Sequence, residues 1–228
     1  FSRRDKSIPT AAWDVPFNTP GYDIVDERGF TELKYSNRFT PSIAVESKGA
    51  FDYYGYTAEY PYIENRTGEN AFSRWAGLKT QLTWDIETRN RLTAGVEFAR
   101  TFSSDYAFWT VDSTIIHFLA DYSTITGFVQ DEWQISDQLC LGFGLRYDHQ
   151  SGMASSMAPR ASLIYIPASQ TSVKLLYAEG FRNPSPNERF YFDPTSDFKI
   201  SEGLRPERIA SLDLTAEHAF TDQMTVKV

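Results

Sequence analysis

The sequence predicts an all-β protein: an antiparallel, up-and-down sheet belonging to a transmembrane β-barrel. Three observations predict it. Strand-like runs alternate large apolar with small or polar residues. In QLCLGFGLRYD (138–148), Leu139, Leu141, Phe143, Leu145 and Tyr147 fall on one side, and Cys140, Gly142, Gly144, Arg146 and Asp148 on the other. Period two marks a strand, because successive side chains leave opposite faces. Second, the connections between runs alternate between short and long, the layout of a barrel with tight turns at one rim and loops at the other. A soluble sandwich has no reason to sort its loops in this way. Third, no run of about 18 apolar residues offers a transmembrane helix. A barrel remains open, since only alternate residues meet lipid.

In chain order, segment 1–29 reads as a long loop. Strands are predicted over 30–39, 43–57, 71–85, 91–104, 121–135, 139–150, 157–167, 172–181, 208–220 and 224–228, the last incomplete. The short connections are TPS (40–42), ETRN (87–90), SDQ (136–138), ASQT (168–171) and TDQ (221–223). The long ones are 58–70, 105–120 and 182–207, with a shorter one at 151–156. Leu92, Ala94, Val96 and Phe98 oppose Thr93, Gly95 and Glu97; Leu78, Leu82 and Trp84 oppose Lys79, Gln81 and Thr83. Leu212, Leu214, Ala216 and Phe220 oppose Ser211, Asp213, Thr215 and Glu217, and Val173, Leu175 and Tyr177 share a face. Asp131 fits badly. It falls with Ile125, Val129, Trp133 and Ile135 on the apolar side, where a charge costs up to a few kcal/mol at mid-depth and less near the interface. It is expected either in the interfacial zone beside Trp133 or turned away by a bulge.

The chain carries 22 basic and 30 acidic residues, a formal charge of −8, which argues against a general nucleic-acid binder. Aromatic residues make up 15%, which suits strands, binding loops and membrane-interface belts. The single cysteine, Cys140, excludes an intramolecular disulfide framework and a Cys-cluster metal site. His117, His149 and His218 lack metal-ligand spacing, and no nucleophile elbow, phosphate loop or dinucleotide fingerprint occurs. Neither an enzyme nor a resident cofactor is expected.

The segment 182–207 mixes Arg182, Arg189, Arg205 and Arg208 with Glu188, Glu202 and Glu207, and carries Phe190, Tyr191 and Phe192. The favoured reading is that Arg182, Pro184, Arg205, Pro206 and Glu207 brace the loop base. The functional reading is contact with an anionic, aromatic ligand, because guanidinium stacks on rings and forks onto acidic oxygens. Tyr53, Tyr54, Tyr56, Tyr60, Tyr62, Tyr106, Phe108 and Trp109 divide in the same way between ligand contact and membrane girdle. The ligand-contact candidates are Tyr60, Tyr62, Tyr106, Trp109, Arg182, Arg189, Phe190 and Tyr191.

Four segments carry a family likeness. GFVQDEWQISDQLCLGFGLRYD (127–148) resembles the strand–turn–strand of TonB-dependent outer-membrane receptors, in which a Gln-Asp-Glu-Trp hairpin leads into a Gly-Leu-Arg-Tyr-Asp strand. APRASLIYIP (158–167), LLYAEGFRNPSPNERF (175–190) and LRPERIASLDLTAE (204–217) are similar to that family's Pro-Arg strand, Phe-Arg-x-Pro-Ser segment and Leu-Lys-Pro-Glu segment. The segments SRRDKSIPTAAW and FNTPGYDIVDERGF look like a receptor loop entering a barrel strand. On these motifs Gln130, Glu132, Trp133, Arg146, Asp148, Arg160, Phe181, Arg182, Pro184, Pro206 and Glu207 are structural positions.

The resemblance implies a partial barrel over 1–228: about ten strands of a 22-stranded barrel closed around a plug, with plug, TonB box and remaining strands outside this sequence. It implies a bacterial outer-membrane receptor that imports a scarce ligand, a ferric siderophore or cobalamin, with TonB-supplied energy. The implied partners are outer-membrane lipid, the TonB complex and a small ligand such as a metal chelate, with no nucleic acid. Leu139 to Tyr147 would then face lipid, with Tyr147 in the outer aromatic girdle. Gly142 and Gly144 would face a lumen where the plug approaches closely. A passive outer-membrane diffusion barrel, porin-like, is the alternative. It requires the first strand to close on the last, whereas a wall cut from a wider barrel leaves both edges unpaired. A hydrolase on a small barrel and a soluble sugar-binding sandwich are further alternatives.

Overall fold

The computed structural model describes residues 1–9, 15–61, 66–192, 203–221 and 223–228. They form one antiparallel sheet whose eleven strands follow each other in sequence order. The strands are β1 (Ser2–Ser7), β2 (Asp23–Thr40), β3 (Ile43–Pro61), β4 (Arg66–Ile86), β5 (Asn90–Thr110) and β6 (Thr114–Ser136). They continue as β7 (Leu139–Gln150), β8 (Ser156–Ala168), β9 (Thr171–Arg182), β10 (Glu207–Thr221) and β11 (Met224–Lys227), with one short helix, α1 (Pro186–Phe190), between β9 and β10. β1 and β11 stand at the two edges and do not pair with each other, so these strands form an open wall and not a closed small pore.

Every predicted strand is present, and each tight turn falls where expected. The turn after β6 and the connection holding α1 lie at opposite rims, because three strands separate them. Three boundaries differ from expectation. The segment 1–29 is not one loop, because β1 pairs with Asp23–Arg28 of β2. The expected loop 105–120 shrinks to 111–113, closed by Thr110 N donating to Ser113 O at 2.8 Å. The expected loop 58–70 is strand up to Pro61 and again from Arg66. β3 to β6 therefore run 19–23 residues where β7 to β9 run 12 or 13. About ten residues cross a bilayer, so the surplus stands above it as two tall hairpins. There neither face needs to be uniformly apolar, and the alternation fades while the backbone ladder continues.

Cross-strand partners share a face, so the register sorts side chains. One row reads Ile43, Trp84, Leu92, Asp131, Phe143, Ala161, Tyr177, Leu212. Leu212 and Leu214 are about 70% exposed, at 70% and 69%, and Val96, Phe98 and Phe143 are exposed with them. Such a band far exceeds the apolar patches of soluble monomers. Leu139 and Leu141 share this face and are half-buried. The opposite face carries the row Lys34, Lys48, Lys79, Glu97, Thr126, Asp148, Ser156. Three lysines abreast repel. Lys34 is relieved by Glu46 at 2.7 Å, Lys48 by Glu32 at 2.5 Å, and Lys79 lies 5.2 Å over the Phe128 ring. Buried polar groups, Thr126, Asp148 and Ser156, sit on this polar face, which inverts the arrangement of a soluble protein.

Two expectations about individual residues gain detail. Asp131 is not rescued by a bulge: it pairs in regular register with Leu92 and Phe143, on the apolar face. It lies two positions from the half-exposed Trp133, towards the turn rim, and its Oδ1 is buried without a partner among the described residues. Gly142 and Gly144 do lie on the polar face, but the space they leave is taken by the next strand. A Cβ on Gly144 would lie 2.5 Å from Arg160 Nε, and one on Gly142 would lie 2.4 Å from Ser162 Oγ.

Candidate functional site

The long connection is organised by its own first residues. Ser185, extended at φ −67° and ψ 160°, caps α1: its hydroxyl accepts from Glu188 N at 3.2 Å, and Glu188 Oε2 accepts from Ser185 N at 2.7 Å. This reciprocal pair satisfies two of the amides that a helix start leaves open. The Arg182 guanidinium then grips Glu188 through both oxygens, at 2.9 and 3.0 Å, and Glu207 through both, at 2.8 and 3.1 Å. Arg182 and Glu207 face each other on the last rung of β9–β10. Its hydrogen bonds to Arg182, and then those from Ser185, hold the Glu188 carboxyl at about 2, far below its ordinary value. Asn183 donates to Gln150 at 3.0 Å, and Pro184 is buried. Arg182 is thus committed to bracing the loop base. Arg189 lies 4.8 Å over the Phe190 ring.

The tall hairpins supply the other half of the site. Register places Tyr54, Tyr56, Tyr60, Glu69, Tyr106, Phe108 and Phe118 on the polar side, while Tyr53 and Trp109 face the other way. Trp109 fills the space above Gly68, whose Cβ would stand 2.4 Å from its ring. Glu69 is paired with the buried Ala58, and this small neighbour leaves it room. Its carboxylate accepts hydroxyls from Tyr106 at 2.7 Å and Tyr56 at 3.2 Å, and a further one from Tyr60. Burial, with Glu69 beside it, pushes the Tyr56 hydroxyl up to about 12, and it pushes Tyr60 and Tyr106 higher still. All three stay protonated and donate to Glu69. The rings continue outward. Tyr22 lies 5.0 Å from Tyr60, and Tyr106 lies 5.4 Å from Phe118. The end of the α1 segment folds onto this wall, with Phe190 5.9 Å from Phe118 and Tyr191 6.0 Å from Tyr106.

Of the eight ligand-contact candidates, Tyr60, Tyr106, Phe190 and Tyr191 come together here, and Arg189 adjoins them. Trp109 is on the opposite face, Arg182 is in the brace, and Tyr62, like Glu202, lies outside the described residues. Sequence reading did not single out Glu69 or Phe118, whose only signal is cross-strand register. Lower on the polar face, Arg146 and Thr126 converge on Asp148, and Arg160 bonds Gln130, which donates to Glu132 at 2.5 Å. Gln130, Glu132, Arg146 and Arg160 line a depression of about 550 Å³ together with Lys79, Phe128 and Glu179. Phe181 pairs with Arg208 on the outward side, and Pro206 is half-buried just before β10. Among the described residues no group of three His, Cys, Asp or Glu side chains is placed to hold a metal ion.

An open antiparallel wall with a lipid-facing apolar band, a polar inner face and tall hairpins at one rim is the wall of an outer-membrane β-barrel. Residues 2–228 match the family described as TonB dependent receptor-like, beta-barrel, and the chain belongs to that family. Its members are transporters of the bacterial outer membrane and not enzymes. Solved structures share the fold at low identity. The copper transporter OprC is 14% identical with a TM-score of 0.70, over 90% of this chain and 38% of that one. The ferric citrate transporter FecA is 11% identical at 0.70, over 94% and 36%. BauA, the ferric preacinetobactin receptor from Acinetobacter baumannii, is 11% identical at 0.65, over 87% and 36%. The chain thus spans little more than a third of these receptors. No curated relative matches it.

Proposed function

We propose that the receptor to which this wall belongs imports a scarce small ligand, a metal chelate such as a ferric siderophore or cobalamin, with energy from the TonB complex. The observation that carries this reading is the aromatic site on the loop rim, where the segment after β9 closes over Tyr106 and Phe118. Rigid rings on the inner wall above the bilayer offer a first binding surface to a solute arriving from outside. The contacts proposed are Tyr60, Tyr106, Phe190, Tyr191 and Arg189. The similar structures are named for copper, ferric citrate and ferric preacinetobactin, which supports a metal-linked cargo. Coupling to TonB would run through a plug and TonB box outside this sequence. A pore closed by these eleven strands alone is disfavoured, because β1 and β11 do not pair.

The test is uptake of radiolabelled ferric chelates and cyanocobalamin by cells whose only receptor is the full-length protein, with and without TonB. Accumulation that requires TonB is expected. Equal entry in both strains would favour the passive pore, and no accumulation of any of these solutes would refute the metal-chelate reading.

A further inference from the structure

The tyrosine cluster has a one-sided hydrogen-bonding character. A phenol has a single proton to donate, and Tyr56, Tyr60 and Tyr106 all spend it on Glu69. What these hydroxyls surround is a carboxylate, with Tyr56 and Tyr60 also interacting with each other. No lysine, arginine or histidine among the described residues pairs with Glu69, so only neutral donors hold its charge. Of the nearby cations, Arg4 and Lys6 pair with Asp26 at 3.0 and 2.9 Å, Arg66 pairs with Glu59, and Arg189 lies over the Phe190 ring. Glu69 and its three tyrosines are each partly exposed, so a solute can reach them. Aromatic faces attract cations through the ring quadrupole, and Tyr106, whose hydroxyl reaches the carboxylate, has the Phe118 and Tyr191 rings against its own. A polyanionic group would meet repulsion at Glu69, where the hydroxyl donors are already taken.

We propose that the imported solute presents an ammonium or guanidinium group to Glu69, held between the carboxylate and the Tyr56, Tyr60 and Tyr106 rings. This rests on the import reading and specifies the charge of its cargo. A purely structural Glu69, pinning three strands, would need only an acceptor oxygen, and Gln supplies one. Glu69→Gln keeps the Tyr56 and Tyr60 bonds on its amide oxygen, lets its NH2 donate to a turned Tyr106 hydroxyl, and removes the charge.

The probe is benzylammonium, titrated into the purified full-length receptor in detergent and followed by tyrosine fluorescence and saturation-transfer NMR. Its uncharged carbon isostere, ethylbenzene, and benzoate are the comparison ligands. Saturable binding of the cation is expected, with no competition from benzoate. Glu69→Gln should weaken it roughly tenfold, the scale of one charge-assisted contact, at an unchanged melting temperature. Equal affinity for cation and isostere in the unaltered receptor overturns the proposal without any variant, as does a Glu69→Gln receptor that binds the cation undiminished. If the cation binds but no chelate is taken up, the metal-chelate reading fails and the cation site stands. If TonB-dependent uptake occurs but the cation does not bind, the cation site fails alone.

Discussion

Arg146 and Asp148, two residues apart on the polar face of β7, meet twice at 2.7 Å, Nε to Oδ2 and Nη2 to Oδ1. Asp148 is only 5% exposed and also accepts from Thr126 Oγ1 at 2.6 Å. Breaking a buried pair from one side leaves the other charge uncompensated, and Arg146 keeps about half of its surface in reach of water. Asp148→Ala should cost about 2 kcal/mol, below the full buried-pair penalty for that reason. Thr126→Val should cost about 1 kcal/mol. Denaturant midpoints of the full-length receptor check both, and equal effects from the two changes would contradict the account.

Two glycines on neighbouring strands should respond oppositely to the same methyl group. A Cβ on Gly95 would stand 2.4 Å from Phe128 Cζ and 2.8 Å from Thr80 O, whereas one on Gly127 meets nothing within 4 Å. Gly95→Ala should destabilise by about 1–3 kcal/mol through overpacking, and Gly127→Ala by less than about 0.5 kcal/mol. Thermal unfolding of the two variants side by side is the measurement.

Charge should be tolerated on one face of β10 and not on the other. Leu214 is 69% exposed on the apolar side, and Ser211 pairs with Ala178 on the polar side. Leu214→Arg should cost about 2–4 kcal/mol in the bilayer and lower the yield of assembled, heat-modifiable barrel. Ser211→Arg should leave assembly near normal. The reverse order would place lipid on the wrong face.

The clasp at the loop base should resist acid. Glu188 is held at about 2 by Arg182 and Ser185, against an ordinary 4.5. Its folded value is depressed, so its contribution is complete above about 4.5 and fades as pH falls towards about 2. Amide exchange, corrected for intrinsic rate, should show the 183–192 segment unchanged from about pH 7 to about pH 5 and loosening below that. Arg182→Met should loosen it across the whole range. Ser185→Ala should cost the local helix about 1 kcal/mol. Loosening of the unaltered loop between neutrality and about pH 5 would show that another group controls it.

The eight strands from β3 to β10 were legible because lipid imposes a uniform demand: every second residue must be apolar wherever the strand crosses. Leu92 to Phe98 and Leu139 to Tyr147 carry that mark plainly, and so do the tight turns between them. The tall parts of β3 to β6 were hidden for the converse reason. Above the bilayer water bathes both faces, and DYAFWTVDSTIIHFLA mixes aromatic and charged residues without period while still pairing strand to strand. β1 was lost in the same way, since Arg3, Arg4 and Lys6 read as loop until Glu27 and Asp26 of β2 answer them at 2.9 to 3.0 Å.

By itself the sequence determined the class of fold, the lipid-facing residues and the family, because all three rest on local alternation and contiguous motifs. Tertiary structure alone decided what the charged and aromatic residues do. Bracing by Arg182 was already the favoured reading, and the sheet supplied its partner, because Glu207, 25 residues away, stands on its rung. Gly144 became room for Arg160 because that side chain crosses from the next strand. Tyr56, Tyr60 and Tyr106 became one site because register brings three strands to Glu69. The physical reason is the same in each case. Backbone periodicity is a property of neighbours along the chain, but the partner of a polar side chain is set by which residue lies opposite, and only the paired sheet specifies that.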